Sequence, residues 1–110
     1  MNKSIGVVKT TLPGEWNDLE CGSWCHNIIE KGLAACSNRH KITSLFKWEK
    51  SIQSTDEWQI DFKTSLTLVK KLISTINEAH PYDIPMIISS SVDAEPPYVE
   101  WVESVCIKPN

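Results

Sequence analysis

"HKITSLFKWEK" (40–50) followed by "IQSTDEWQIDFKT" (52–64) decides the fold. Both runs alternate with a short period and are rich in β-branched and aromatic residues. In the second, Trp58, Ile60 and Phe62 point one way and Gln59, Asp61 and Lys63 the other. That period of two marks a strand with one dry and one wet face. The pattern predicts two long strands, about 37–49 and 52–64, joined by a tight turn near Lys50-Ser51. Both exceed the usual strand of about five or six residues.

The flanking segments follow from the same kind of reading. Upstream, Cys21, Trp24, Cys25, Ile28 and Ile29 recur at spacings of three and four, one face of a helix over about 15–31 that Gly32 stops. Before it, "SIGVVKTT" (4–11) reads as a strand ended by the turn Leu12-Pro13-Gly14. Downstream, "SLTLVKKLISTINEAH" (65–80) places Leu66, Val69, Leu72, Ile73, Ile76 and His80 on one stripe, with Thr64 or Ser65 as N-cap. Met86 to Ile88 form a continuous apolar run, as in a strand buried on both faces. Pro96-Pro97 opens a last helix whose apolar face is Tyr98, Trp101, Val102, Val105 and Cys106. The order β-α-β-β-α-β with an added C-terminal helix predicts an α+β, ferredoxin-like sandwich in a single domain, 1–110. Long exposed edges invite pairing and tryptophan anchors interfaces, so two overlong strands and five tryptophans predict an oligomer.

Composition limits the function classes. Hydrophobic content of 41% and charged content of 23% are those of a soluble globular protein. Eleven basic against fourteen acidic residues, a formal charge of -3, argue against a nucleic-acid binder. Arg39-His40-Lys41 and Lys70-Lys71 read as solvated surface. The first apolar run is broken by Lys9 and is too short for a signal peptide or membrane span. A cytoplasmic location is therefore expected, with Cys21, Cys25, Cys36 and Cys106 as thiols. The chain carries no Gly-rich phosphate loop, G-x-S-x-G or HExxH, so no standard enzyme is expected.

"LAACSN" (33–38), "TSLFKW" (43–48), Glu57 with Lys63-Thr64, "HPYDIP" (80–85) and "YVEW" (98–101) occur in an order and spacing that resemble the CutA family, the divalent-cation tolerance proteins. The resemblance covers nearly the whole chain. It implies a homotrimer whose long hairpin strands extend sheets between subunits, an architecture similar to the PII signalling proteins, and a role in tolerance of divalent metals, copper especially. Phe46 stands where the family pattern S-x-Y-x-W has tyrosine, and Lys50 where W-x-G-K has glycine. If that position needs positive φ, Lys50 carries a modest steric cost.

Three groups of residues can carry chemistry. Pro81 ends the helix at His80 and Pro85 sets up the next strand, so His80 reads as a corner residue; as an imidazole in a last helical turn it also suits a helix dipole or a copper or zinc ion. Cys36 reads as a small buried hydrophobe or as a soft thiolate for copper or zinc paired with His80, with further ligands from a neighbouring subunit. No metal is expected to be essential. Trp48, Glu57, Lys63 and Tyr82 read as interface pairs or as the lining of an intersubunit cleft for a small anionic ligand or an unknown protein partner. Cys21 and Cys25, at i and i+4, can meet one soft ion but sit on the apolar stripe, and packing is the expectation. His26 and His40 read as surface residues. A Cys36–His80 nucleophilic pair needs an exposed, acidic thiol, which "LAAC" does not suggest.

Overall fold

The computed structural model describes residues 3–108. The chain runs β1 (Ser4–Pro13), α1 (Asp18–Glu30), β2 (Cys36–Trp48), β3 (Ser51–Thr64), a 3₁₀ turn (Leu66–Leu68), α2 (Val69–Ala79), β4 (Ile87–Asp93) and α3 (Pro96–Val105). The strands form one antiparallel sheet in the order β2-β3-β1-β4. This is the predicted α+β architecture, with β1 and β3 central and the crossovers running through α1 and α2.

Register explains which residues make the core. Val8 lies opposite Phe62, Thr10 opposite Ile60 and Leu12 opposite Trp58. Directly opposed residues share a face. All of these except half-buried Trp58 are buried, packed under Cys21, Cys25 and Ile28 of α1 and Leu72 and Ile76 of α2. The alternate positions pair polar with polar, as in Lys9 with Asp61 and Thr11 with Gln59. Val99, Val102 and Cys106 of α3 pack on Ile5 and Leu68 as a second cluster.

Several sequence expectations shift for identifiable reasons. The first helix begins at Asp18, not 15, because Asn17 and Glu20 form a reciprocal capping box, with bonds of 2.8 and 3.0 Å. The second helix opens with a 3₁₀ turn and has no side-chain cap, since the Ser65 hydroxyl contacts Thr67 Oγ1 at 3.2 Å. It ends at Ala79, leaving His80 extended at φ -80°, ψ 137°, as a residue before proline should be. In the hairpin turn, Trp48 pairs with Ser51 and the positive φ of 56° falls on Glu49, not on Lys50. The strain expected of the missing glycine is thus one residue earlier. The run Met86–Ile88, predicted buried on both faces, instead leads into an edge strand; Met86 and Ile88 are exposed in the single chain. In α3, Tyr98, Trp101 and Val105 are likewise exposed, and Val99 takes the buried place.

The hairpin outruns the sheet. β1 supports β3 only as far as Pro13 opposite Glu57. Beyond it, β2 and β3 continue alone from Thr43 opposite Asp56 to Trp48 opposite Ser51. This arm is roughly 20 Å long at the usual strand rise. It stretches the chain to 48 × 25 × 24 Å and lifts the radius of gyration to 14.8 Å, against about 13 Å for a compact chain of this length. A lone two-stranded ribbon is marginal in water, yet Leu45, Phe46, Trp48 and Ile52 lie exposed along it.

Candidate functional site

The proline corner is built on an open sheet edge. β4 pairs with β1 only up to Thr10 opposite Ile87. Past that point the edge of β1 needs other partners, and the corner supplies one in His80. Its Nε2 lies 2.8 Å from the Thr11 carbonyl oxygen and 3.0 Å from Thr10 Oγ1. The Tyr82 backbone N–H donates to Nδ1 at 3.1 Å. Nδ1 is therefore an acceptor, which fixes the neutral tautomer with the proton on Nε2. Burial holds the imidazole below its usual range, outweighing the Thr11 carbonyl and the Glu57 charge, which both act upward. His80 is a neutral tie between corner and strand and does not act as a protonated partner of the helix dipole. Both ring nitrogens are already occupied.

Trp24 completes the corner. Its indole N–H donates 3.1 Å to the Ala79 carbonyl, one of the groups that α2 leaves without an intrahelical partner. Its ring meets His80 edge-on at 6.1 Å. Sequence reading placed Trp24 only on an apolar stripe, and it missed Thr10 and Thr11 entirely. A buried threonine pair inside a strand gives no spacing signal.

From this corner Tyr82 reaches across. Its hydroxyl donates 2.8 Å to Glu57 Oε2, and its ring lies 5.0 Å from His80. Glu57 is only 8% exposed, so the phenol is a substantial part of its solvation. Burial, then the Glu57 bond and charge, pushes the Tyr82 hydroxyl well above its usual range, so it stays a donor at any physiological pH. The pair stands in the wall of an open cleft of about 890 Å³. Tyr82, Ile84 and Met86 line it together with Phe46, Trp48 and Gln53 of the arm.

The predicted site residues thus divide. Trp48, Glu57 and Tyr82 share one cleft. Lys63 does not join them; its ammonium bonds Asn38 Oδ1, further along the sheet. Cys36 is opposite Lys63, which is opposite Val7. These odd positions of β1 and β3 lie on the face opposite Thr10, Ile60 and Phe62. His80 bonds Thr10, so one chain does not bring Cys36 and His80 together. Cys36 is half-buried and its Sγ lies 3.7 Å from Tyr98 Oη. Among the described residues, no three His, Cys, Asp or Glu side chains converge to hold a metal ion. His26 pairs with Glu30 at 3.3 Å on the surface, and His40 is exposed.

A sheet of order β2-β3-β1-β4 with two crossover helices, a projecting arm and a cleft beneath it defines a ferredoxin-like α+β protein with a ligand-sized surface recess. Within that class, residues 7–105 match the CutA1 divalent ion tolerance protein family, and the chain belongs to it. Mouse Protein CutA is 36% identical over 104 residues, spanning 93% of this chain and 57% of its own length. The divalent-cation tolerance protein CutA of Thermotoga maritima is 35% identical over 101 residues, spanning 90% and 97%. Among solved structures, the divalent ion tolerance protein CutA1 of Ehrlichia chaffeensis superposes with a TM-score of 0.85 at 31% identity, covering 96% of this chain and 97% of its own. The PII-like protein CutA from Nostoc shares the fold, with a TM-score of 0.84 at 23% identity, covering 93% and 97%.

Proposed function

We propose that this chain acts in divalent-cation tolerance, copper foremost, as a cytoplasmic homotrimer whose working surface is the cleft at Glu57 and Tyr82. The observation that carries this reading is the combination of the hydrogen bond from half-buried Tyr82 to buried Glu57 with an unsupported apolar arm lining the same recess. Covering Phe46 and Trp48, which line the recess, with a neighbouring subunit buries them and closes it, while Leu45 and Ile52 offer a second apolar face on the other side of the arm. Desolvated aromatic anchors of this kind supply much of an interface's energy. The closed cleft then presents a phenol and a carboxylate at its base to a small polar ligand or partner, as in a sensor, with the Trp48 indole about 20 Å away at the tip of the arm. The reading is of a binding protein rather than an enzyme, and four cysteines standing as thiols accord with a reducing compartment.

A second reading keeps metal at Cys36, weakly bound as copper or zinc. A half-buried thiol beside the Tyr98 hydroxyl supports it. On this reading the other ligands come from a second subunit, since one chain does not bring His80 to Cys36. The two readings separate by thermal-shift screening of metal salts and small anions. The cleft reading expects responses lost in Tyr82→Phe and Trp48→Ala and kept in Cys36→Ala. The opposite pattern would transfer the function to Cys36.

A further inference from the structure

Tyr82 is held at both ends. Its hydroxyl donates 2.8 Å to Glu57 Oε2 in the wall of the cleft, and its backbone N–H donates 3.1 Å to His80 Nδ1. The imidazole is fixed in turn, because Nε2 lies 2.8 Å from the Thr11 carbonyl oxygen and 3.0 Å from Thr10 Oγ1. The Trp24 ring stands edge-on to it at 6.1 Å. With one nitrogen protonated and the other accepting, the ring has no lone pair left for a metal ion. Only Pro81, whose own φ is fixed, separates His80 from Tyr82. The corner therefore has few torsions with which to absorb a displaced amide.

From this geometry we infer that His80 is a proton-operated latch on the cleft: a proton on Nδ1 releases the Tyr82 amide and, through it, loosens the phenol from Glu57. In the neutral ring Nδ1 is the one acceptor; the imidazolium carries N–H on both nitrogens. The second proton thus sets a donor 3.1 Å from another donor. A backbone amide cannot reverse its role, and Nε2 keeps its bond to Thr11, so the corner is the part that gives. The groups facing the ring come from four places. β3 contributes Glu57, β1 contributes Thr10 and Thr11, α1 contributes Trp24, and the corner itself contributes Tyr82. Of these only Glu57 is charged at neutral pH, and Glu15, in the turn after β1, adds its charge at Tyr82. Glu57 draws the second proton in, but burial opposes it more strongly, so the latch is shut at neutral pH and opens below about pH 6.5. The consequence rests on the cleft being the working surface: its wall is organised at neutral pH and loosened in mild acid.

The test is an NMR titration of the ligand-free full chain from about pH 7.5 to about 5. It follows the His80 ring nitrogens, the Tyr82 backbone amide and the Glu57 side-chain carboxyl carbon. In wild type the ring should titrate, the Tyr82 amide should lose its hydrogen-bonded shift, and the Glu57 carbon should move, all with one midpoint. A ring that stays neutral throughout, or a Tyr82 amide that stays put while the ring titrates, would overturn the latch. His80→Gln supplies an amide that does not titrate, and the Tyr82 signal should then stay flat. Glu57→Gln removes the other titrating group, and the Tyr82 amide should still follow His80. A Tyr82 transition kept in His80→Gln, or lost in Glu57→Gln, would assign the effect to Glu57 instead. The wild-type arm does not depend on any variant folding. Because no ligand is present, the latch can stand while the thermal-shift screen rejects the cleft as the working surface, and the reverse.

Discussion

Tyr82→Phe removes one oxygen atom and leaves the ring in place, so its effect isolates the bond to Glu57. That bond is 2.8 Å long and its acceptor is 8% exposed. A hydrogen bond to a charged group contributes about 1.5–3 kcal/mol net. Here the pair stands in the wall of an open cleft, where water can take the place of the phenol. The loss should fall toward the lower end, about 1–2 kcal/mol, or roughly 4–10 °C in Tm for a chain of this size. Urea unfolding followed by tryptophan fluorescence reads it directly. Protein concentration must be held fixed, because the proposed self-association would make the midpoint depend on it. Glu57→Gln and the double variant complete a cycle whose coupling should reach about 1 kcal/mol. A coupling near zero would show that Glu57 is satisfied elsewhere and that the cleft wall is not organised by this pair.

Three further outcomes follow from the same geometry. His80 is held below its usual range in the fold, whereas an unfolded chain takes up its proton near pH 6.5. Stability is therefore full above about pH 6.5 and declines as the pH falls below it, until the folded imidazole also protonates; urea midpoints from pH 7.5 to 5.5 should fall less in His80→Gln than in wild type. Leu45→Glu with Ile52→Glu places charge on two side chains that are 74% and 71% exposed in the single chain; sedimentation velocity should show dissociation while circular dichroism keeps the fold. Gly14→Ala drives a methyl group into the Asp56 backbone carbonyl and should cost about 1–3 kcal/mol by overpacking, measured as a lowered urea midpoint.

The fold was legible because its signals are local and agree. Period-two alternation set the faces of β3, and the stripe Cys21–Cys25–Ile28 set the buried face of α1. Errors fell where a local pattern had several physical causes. Apolar Met86–Ile88 reads as a fully buried strand, but β4 is an edge strand and leaves Met86 and Ile88 exposed in the single chain. The missing turn glycine pointed to Lys50, while the positive φ was taken up by Glu49. At the site, Glu57 and Tyr82, read from the sequence as one group, are hydrogen-bonded at 2.8 Å in the wall of one recess. Lys63 was grouped with them although it sits further along the sheet, bonded to Asn38. Sequence spacing does not show which face of a sheet a residue occupies once strands from distant segments pair. For that reason Cys36 and His80 looked like partners and are not brought together in one chain.

On the proposed reading the arm and the cleft beneath it form a working site only when a neighbouring subunit covers them, so the mass in solution is the most direct test. Size-exclusion chromatography with multi-angle light scattering at micromolar concentration should give three times the 12.5 kDa chain mass. A single-chain mass under the same conditions, with the hairpin arm left bare, would contradict the proposed site.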